Sequence, residues 1–162
     1  MRRFIIVTAT WGGTGYSPFA SGTVGTAAAI PFYLILAQLN LPLYLLSVTA
    51  FTLFACWCAG LAEQVFRQHD SGKIVIDEVA GYLVTMIAVP LSVQAVVVGF
   101  FMFRLFDITK PQPARWFDSS LKNGFGVVLD DVAAGVYACI ATHLVLRLLA
   151  LFTPWAQSWL SL

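Results

Sequence analysis

The stretch Lys73-Ile74-Val75-Ile76-Asp77-Glu78-Val79-Ala80-Gly81 sets two adjacent carboxylates at the mouth of a long apolar run. No residue from 79 to 103 is charged, and none is charged between Arg3 and Glu63. Both runs exceed the roughly 20 residues that cross a bilayer as a helix. Acids are costly at such depth and persist where they face a cavity, pair with cations or bind a metal. Asp77 and Glu78 are therefore functional-site candidates by default.

The rest of the composition agrees with a membrane protein. Of 162 residues, 59% are hydrophobic and 10% charged, whereas soluble domains carry about a quarter charged residues. The net charge of +1 says little about partners, because the charges are unevenly placed, and no nucleic-acid partner is expected. Met1-Arg2-Arg3 before Phe4-Ile5-Ile6-Val7 imitates the start of a signal peptide. The imitation breaks at Trp11-Gly12-Gly13, with no small-residue cleavage region. Cys56, Cys58 and Cys139 lie in apolar segments without metal-ligand neighbours and read as packing residues.

The pattern predicts an all-α, polytopic membrane bundle of about five helices forming a single domain over residues 1–162. The expected helices cover residues 24–39, 43–66, 77–89, 92–106 and 130–152. The third and fourth are short for a bilayer, since about 14 residues rise only some 21 Å. The Gly-rich region 8–26 reads equally as a loop with Ser21 or Thr23 as N-cap, or as a backbone supple enough to approach a phosphate. No Gly-Lys-Ser or Gly-Lys-Thr follows it, so it is not a nucleotide P-loop. The stretch 115–128 reads as a loop or an interfacial helix.

If each helix crosses once, the Gly-rich loop, residues 63–78, residues 104–122 and Asp130-Asp131 share one face. Arg2, Arg3, Arg67, Lys73, Arg104, Lys110, Arg115 and Lys122 lie there too, which makes that face cytoplasmic by the positive-inside rule. Arg147 is the exception, placed to snorkel to the far interface. Trp155 and Trp159 in the tail suit an interfacial belt on the opposite side.

Three acidic clusters thus stand on one surface: Asp77-Glu78, Asp107 and Asp130-Asp131. Their oxygen-only donors select Mg²⁺, Mn²⁺ or Ca²⁺ over zinc. Arg104, Lys110, Arg115 and Lys122 nearby are residue types that hold phosphate oxygens. Together they suit phosphoryl chemistry on a lipid head group. The plainer account makes Asp77 and Asp130 helix caps that complement the dipole, yet doubled acids at two helix starts exceed what capping requires. Other phosphatase chemistries fit less well. No cysteine is followed by five residues and an Arg, there is no Asp-x-Asp-x-Thr/Val start, and His143 reads as a core residue. His69, beside Asp70, retains only a supporting role.

The blocks Gly13 to Gly25, His69-Asp70 with Ile74 to Glu78 and Gly81, Phe103-Arg104-Leu105-Phe106-Asp107-Ile108-Thr109-Lys110-Pro111 with Pro113, and Gly124-Phe125-Gly126 with Asp130-Asp131 and Ala134-Gly135 resemble the phosphatidylglycerophosphatase A family. They run in family order over nearly the whole chain. The resemblance implies a bacterial inner-membrane, multi-pass, Mg²⁺-dependent enzyme whose active site faces the cytoplasm. It would remove the terminal phosphate of phosphatidylglycerophosphate to give phosphatidylglycerol. It implies metal ligands at Asp77, Glu78, Asp107, Asp130 and Asp131, with Asp77, Glu78, Asp107 and Asp131 catalytic. Arg104 and Lys110, together with Thr23 of the Gly-rich block, are the phosphate-binding candidates. Gln112 departs from the Trp that the family often shows between the two prolines. Two other readings were weighed. A small cation transporter or channel subunit would use the acids as an ion path, but it predicts acids near mid-membrane. A phosphatidyl transferase would need an Asp-x-x-Asp-Gly-x-x-Ala-Arg start, which is missing.

Overall fold

The structure, a computed structural model, describes residues 1–69, 71–121 and 123–152, without the side chains of Asp118 and Ser119. Asp70, Lys122, Trp155 and Trp159 lie outside the described residues. The described residues form seven α-helices and no strand: α1 (Arg2–Ala9), α2 (Ser21–Leu36), α3 (Leu41–Phe66), α4 (Ile76–Thr85), α5 (Val93–Thr109), α6 (Ala114–Ser120) and α7 (Gly124–Phe152). The all-α expectation stands; α1 and α6 come in addition to the five helices read from the pattern. The heptapeptide behind the apparent signal-peptide start is part of α1, whose Ile5 and Ala9 are buried against α3.

Helices α3 and α7, with 26 and 29 residues, are long and apolar enough to cross a membrane. Leu46 and Leu53 on α3, and Ile140, Leu144 and Leu151 on α7, are exposed, the pattern of side chains that meet lipid. Local chemistry explains the ends. Asn40 caps α3, its Oδ1 accepting from Leu43 N at 3.1 Å, with Pro42 in the first turn. Ser92 caps α5 in the same way through Ala95 N at 3.2 Å. Both residues sit just before apolar runs, where a short polar side chain satisfies amides that the helix leaves free.

Several ends differ from expectation: α2 ends at Leu36 rather than residue 39 and α5 at Thr109 rather than residue 106, and three further shifts have local causes. Helix α2 starts at Ser21 rather than residue 24, after Ala20 in a left-handed conformation and with no side-chain cap. Helix α4 stops at Thr85, four residues early, before a turn in which Ala88 has φ of 55° and Pro90 follows. The largest difference is α7, which begins at Gly124 rather than Asp130 because Asn123 Oδ1 accepts from Phe125 N and Gly126 N. Asp130 and Asp131 are therefore inside a helix, two turns from its start, and cap nothing.

Helix α4 is the axis. Of its ten residues all but Glu78 are buried, and it packs on α2, α3, α5 and α7. Tyr82 meets the edges of Tyr33 and Phe103, and Tyr44 Oη donates to Leu83 O at 2.8 Å. Fully burying side chains of this size contributes about 1.5–3 kcal/mol each. Glycines set the α4–α7 distance. A methyl group on Gly81 would fall 2.6 Å from Asp131 O and 2.7 Å from Phe103 Cζ, and Gly135 abuts the Gly81 carbonyl. Only bare backbone allows this approach, and it draws the first turn of α4 beside the second turn of α7.

Candidate active site

That approach brings the acids together. Oxygens of Asp77, Glu78 and Asp131 lie within 4.8 Å of one another. Asp77 and Asp131 are buried, and Glu78 is nearly so. The pairs are held locally: Asp77 Oδ1 accepts from Glu78 N at 3.0 Å, and Asp130 Oδ1 accepts from Asp131 N at 2.9 Å. Asp107, in the last turn of α5, is linked to Glu78 through Arg104. Three of the five predicted acids thus converge from α4 and α7, and Asp107 of α5 joins them through Arg104.

Charge decides what the spot can hold. Two unit negative charges 4.8 Å apart repel by about 3.5 kcal/mol at an effective dielectric of 20. Three carboxylates there coexist only with cationic compensation or bound protons. Arg104 supplies part of it: Nη1 lies 2.5 Å from Asp107 Oδ2 and 4.0 Å from Glu78 Oε1. Yet Glu78 Oε2 and Arg104 Nε are buried without a hydrogen-bond partner, and Arg104 Nη1 meets its carboxylate off hydrogen-bond alignment. Buried polar atoms are rarely left so. An all-oxygen donor set with an orphaned carboxylate oxygen fits a hard divalent cation such as Mg²⁺.

Asp130 stands differently. It is buried, but it is not among the three converging acids, and its Oδ2 is 2.5 Å from Lys110 Nζ. Lys110 terminates α5 in a left-handed conformation, φ 40°. The chain turns there, and the ammonium reaches Asp130 on α7. The residue that shares a face with Asp107 at i,i+3 spacing is Arg104.

The third component is the start of α2. A methyl group on Gly22 would overlap Glu78 Oε1 and lie 2.9 Å from Arg104 Nη1. The first backbone hydrogen bond of this turn is Val24 N to Ala20 O, so the amides of Ser21, Gly22 and Thr23 make no intrahelical bond. Such a positive helix end beside an arginine is suited to an anion. Thr23 is half-buried in that turn.

Some signals were missed. Gly22 reads in sequence as loop punctuation, and nothing marks it as the neighbour of Glu78. Asn123 before Gly124 was a readable cap, and it would have moved Asp130 and Asp131 into the helix. Tyr137 was not singled out. Its hydroxyl donates to Gln112 O at 2.6 Å and its ring stacks on Phe106. The contact at Gln112 is thus through backbone, which a Gln makes as well as a Trp. Other expectations hold: His143 Nε2 meets Ile87 O at 3.1 Å, and Cys56 and Cys58 are free and buried. His69 pairs with Glu63 at the edge of a separate cleft of about 870 Å³, which none of the five acids lines.

The sequence profile of Phosphatidylglycerophosphatase A matches residues 7–146. Phosphatidylglycerophosphatase A of Escherichia coli (strain K12) is 39% identical over 76% of this chain and 73% of its own length. The protein of the same description from Haemophilus influenzae is 38% identical over 79% and 80%. A Bacteroides thetaiotaomicron protein, described as a candidate phosphatidylinositol-3-phosphatase, is 38% identical over 79% and 84%. No solved structure matches. None of these similarities supports the ion-path reading. With a profile match over most of the chain and relatives at this identity, the chain belongs to the phosphatidylglycerophosphatase A family.

Proposed function

We propose that this chain hydrolyses phosphatidylglycerophosphate to phosphatidylglycerol and phosphate, as a Mg²⁺-dependent, single-domain enzyme of the bacterial inner membrane. The observation that carries the reading is the meeting of Asp77, Glu78 and Asp131 beside Arg104 and the start of α2. Carboxylates for a divalent ion thus face cationic and amide donors for a phosphoryl group. The names of the Escherichia coli and Haemophilus influenzae relatives support the substrate.

In this reading Asp77, Glu78 and Asp131 hold Mg²⁺, with Asp107 beside them, and the ion supplies Lewis-acid polarisation of the phosphoryl oxygens. Arg104 and the first-turn amides of α2, with Thr23 among them, orient the phosphate and offset its charge. Asp107 fixes the Arg104 guanidinium. Lys110 holds Asp130 and so secures the end of α5 against α7. The phosphorus–oxygen bond to glycerol breaks, water supplies the new oxygen, and the leaving alkoxide takes a proton.

The depth of the cluster suits a lipid. Helices α2 and α5, of 16 and 17 residues, rise only about 24–26 Å, less than the ~30 Å hydrocarbon core. The start of α2 and Asp107 at the end of α5 would then sit near the head-group layer, within reach of a lipid phosphate. Helices α2 and α5 would pack beside the long helices α3 and α7, with the ten-residue α4 enclosed among them. Arg2, Arg3, Arg67, Lys73 and Arg115 fall on the side of the site, so that side is cytoplasmic.

The test is phosphate release by purified protein from phosphatidylglycerophosphate and, in a parallel arm, from phosphatidylinositol 3-phosphate. Preference for the first by at least about tenfold, equivalent to 1.4 kcal/mol, is expected. Preference for the second would replace the substrate while retaining the chemistry.

A further inference from the structure

Phe19 is the most exposed aromatic side chain among the described residues, at 82%, and it stands three residues before Gly22. The loop that carries it is pinned on both sides. Ser17 Oγ donates to Phe19 O at 2.8 Å, and Ser21 Oγ donates to Gly72 O at 2.7 Å across the site rim. Ala20, next to it, occupies the left-handed region at φ 44°, a conformation that costs an alanine energy and that its surroundings must enforce. The neighbouring Tyr16 is accounted for, since Lys73 Nζ lies 5.6 Å from its ring centroid. Among the described residues the ring of Phe19 stacks on no other aromatic, while its backbone is held by the Ser17 and Ser21 hydroxyls.

The phosphate-binding elements cannot by themselves tell a lipid phosphate from a soluble one, since arginine and helix amides meet only the phosphoryl group. That discrimination requires apolar contact just outside the phosphate site. We propose that Phe19 is a specificity-determining residue, which packs against the diacylglycerol part of the substrate at the head-group boundary. It thereby selects phosphomonoesters carried on a glycerolipid over the same head group free in water. The inference rests on the phosphatase reading and adds how that site would distinguish its substrate.

The test uses the full-length enzyme in neutral detergent with two substrates. One is long-chain phosphatidylglycerophosphate in mixed micelles; the other is its deacylated, water-soluble head group. Phe19→Ser should raise KM for the micellar substrate at least about tenfold, the scale expected for losing one buried aromatic contact. Its kcat, and its kcat/KM on the deacylated substrate, should remain unchanged. Phe19→Leu should restore most of the loss. An unchanged KM in Phe19→Ser, or an equal loss on both substrates, overturns the proposal. Wild-type protein idle on both substrates overturns the phosphatase reading itself, and this inference with it.

Discussion

Lys110 Nζ lies 2.5 Å from Asp130 Oδ2, joining the end of α5 to the second turn of α7. The Asp130 side chain is almost wholly buried, and that of Lys110 is about 29% exposed. Removing one partner of such a pair weakens the compensation of the other's charge. Lys110→Ala and Asp130→Asn should each lower kcat at least about tenfold, or 1.4 kcal/mol in the barrier. Because they act through one contact, the double variant should be little worse than either single one. Steady-state kinetics in neutral detergent measure this. Multiplied losses would instead give the two residues independent roles, with Lys110 acting directly on phosphate.

The two glycines at the site should behave in opposite ways. At Gly22 an added methyl group meets the far ends of the Glu78 and Arg104 side chains, which can swing away. Gly22→Ala should therefore melt near the wild-type temperature and yet lose at least about 2.7 kcal/mol of transition-state stabilisation, a hundredfold in rate. At Gly81 the methyl group meets the Asp131 carbonyl and the Phe103 ring, neither of which can yield without moving a helix. Gly81→Ala should cost about 1–3 kcal/mol of stability, as overpacking does. Thermal unfolding beside activity separates the two outcomes, and equal melting temperatures would refute the packing argument for Gly81.

Tyr137 ties the linker after Lys110 to α7 through Gln112 O. Tyr137→Phe keeps the ring on Phe106 but loses a hydrogen bond worth about 0.5–1.5 kcal/mol. The expected result is a modest fall in melting temperature and a fall in kcat of roughly three- to tenfold, with KM for the lipid unchanged, since the linker orients Lys110 and not the lipid. A change in KM alone would place Tyr137 on the substrate side instead.

Much of this arrangement was legible in the residues. Uncharged runs pointed to an all-α chain with helices apolar enough to cross a membrane, and acids marked three places, two of them doubled. Asp77, Glu78 and Asp131 come within 4.8 Å of one another, and Asp107 reaches them through Arg104. What stayed hidden depended on backbone geometry. The cap at Asn123 moved the start of α7 by six residues, and with it the setting of Asp130. The left-handed turn at Lys110 and its ion pair with Asp130 of α7 are not marked by any local motif. The closeness of Gly22 to Glu78 joins residues 56 positions apart, which helical or strand periodicity cannot report.

The central claim is that Asp77, Glu78 and Asp131 make one divalent-metal site for hydrolysis. The most direct measurement is phosphate release from phosphatidylglycerophosphate by wild type and by Asp131→Asn over a Mg²⁺ titration, starting from chelator. The account predicts no release without a divalent ion, saturable release with Mg²⁺ for wild type, and at least about a 100-fold loss for Asp131→Asn, or 2.7 kcal/mol. Full turnover in chelator, or an Asp131→Asn variant with the wild-type rate and the wild-type Mg²⁺ response, would contradict it.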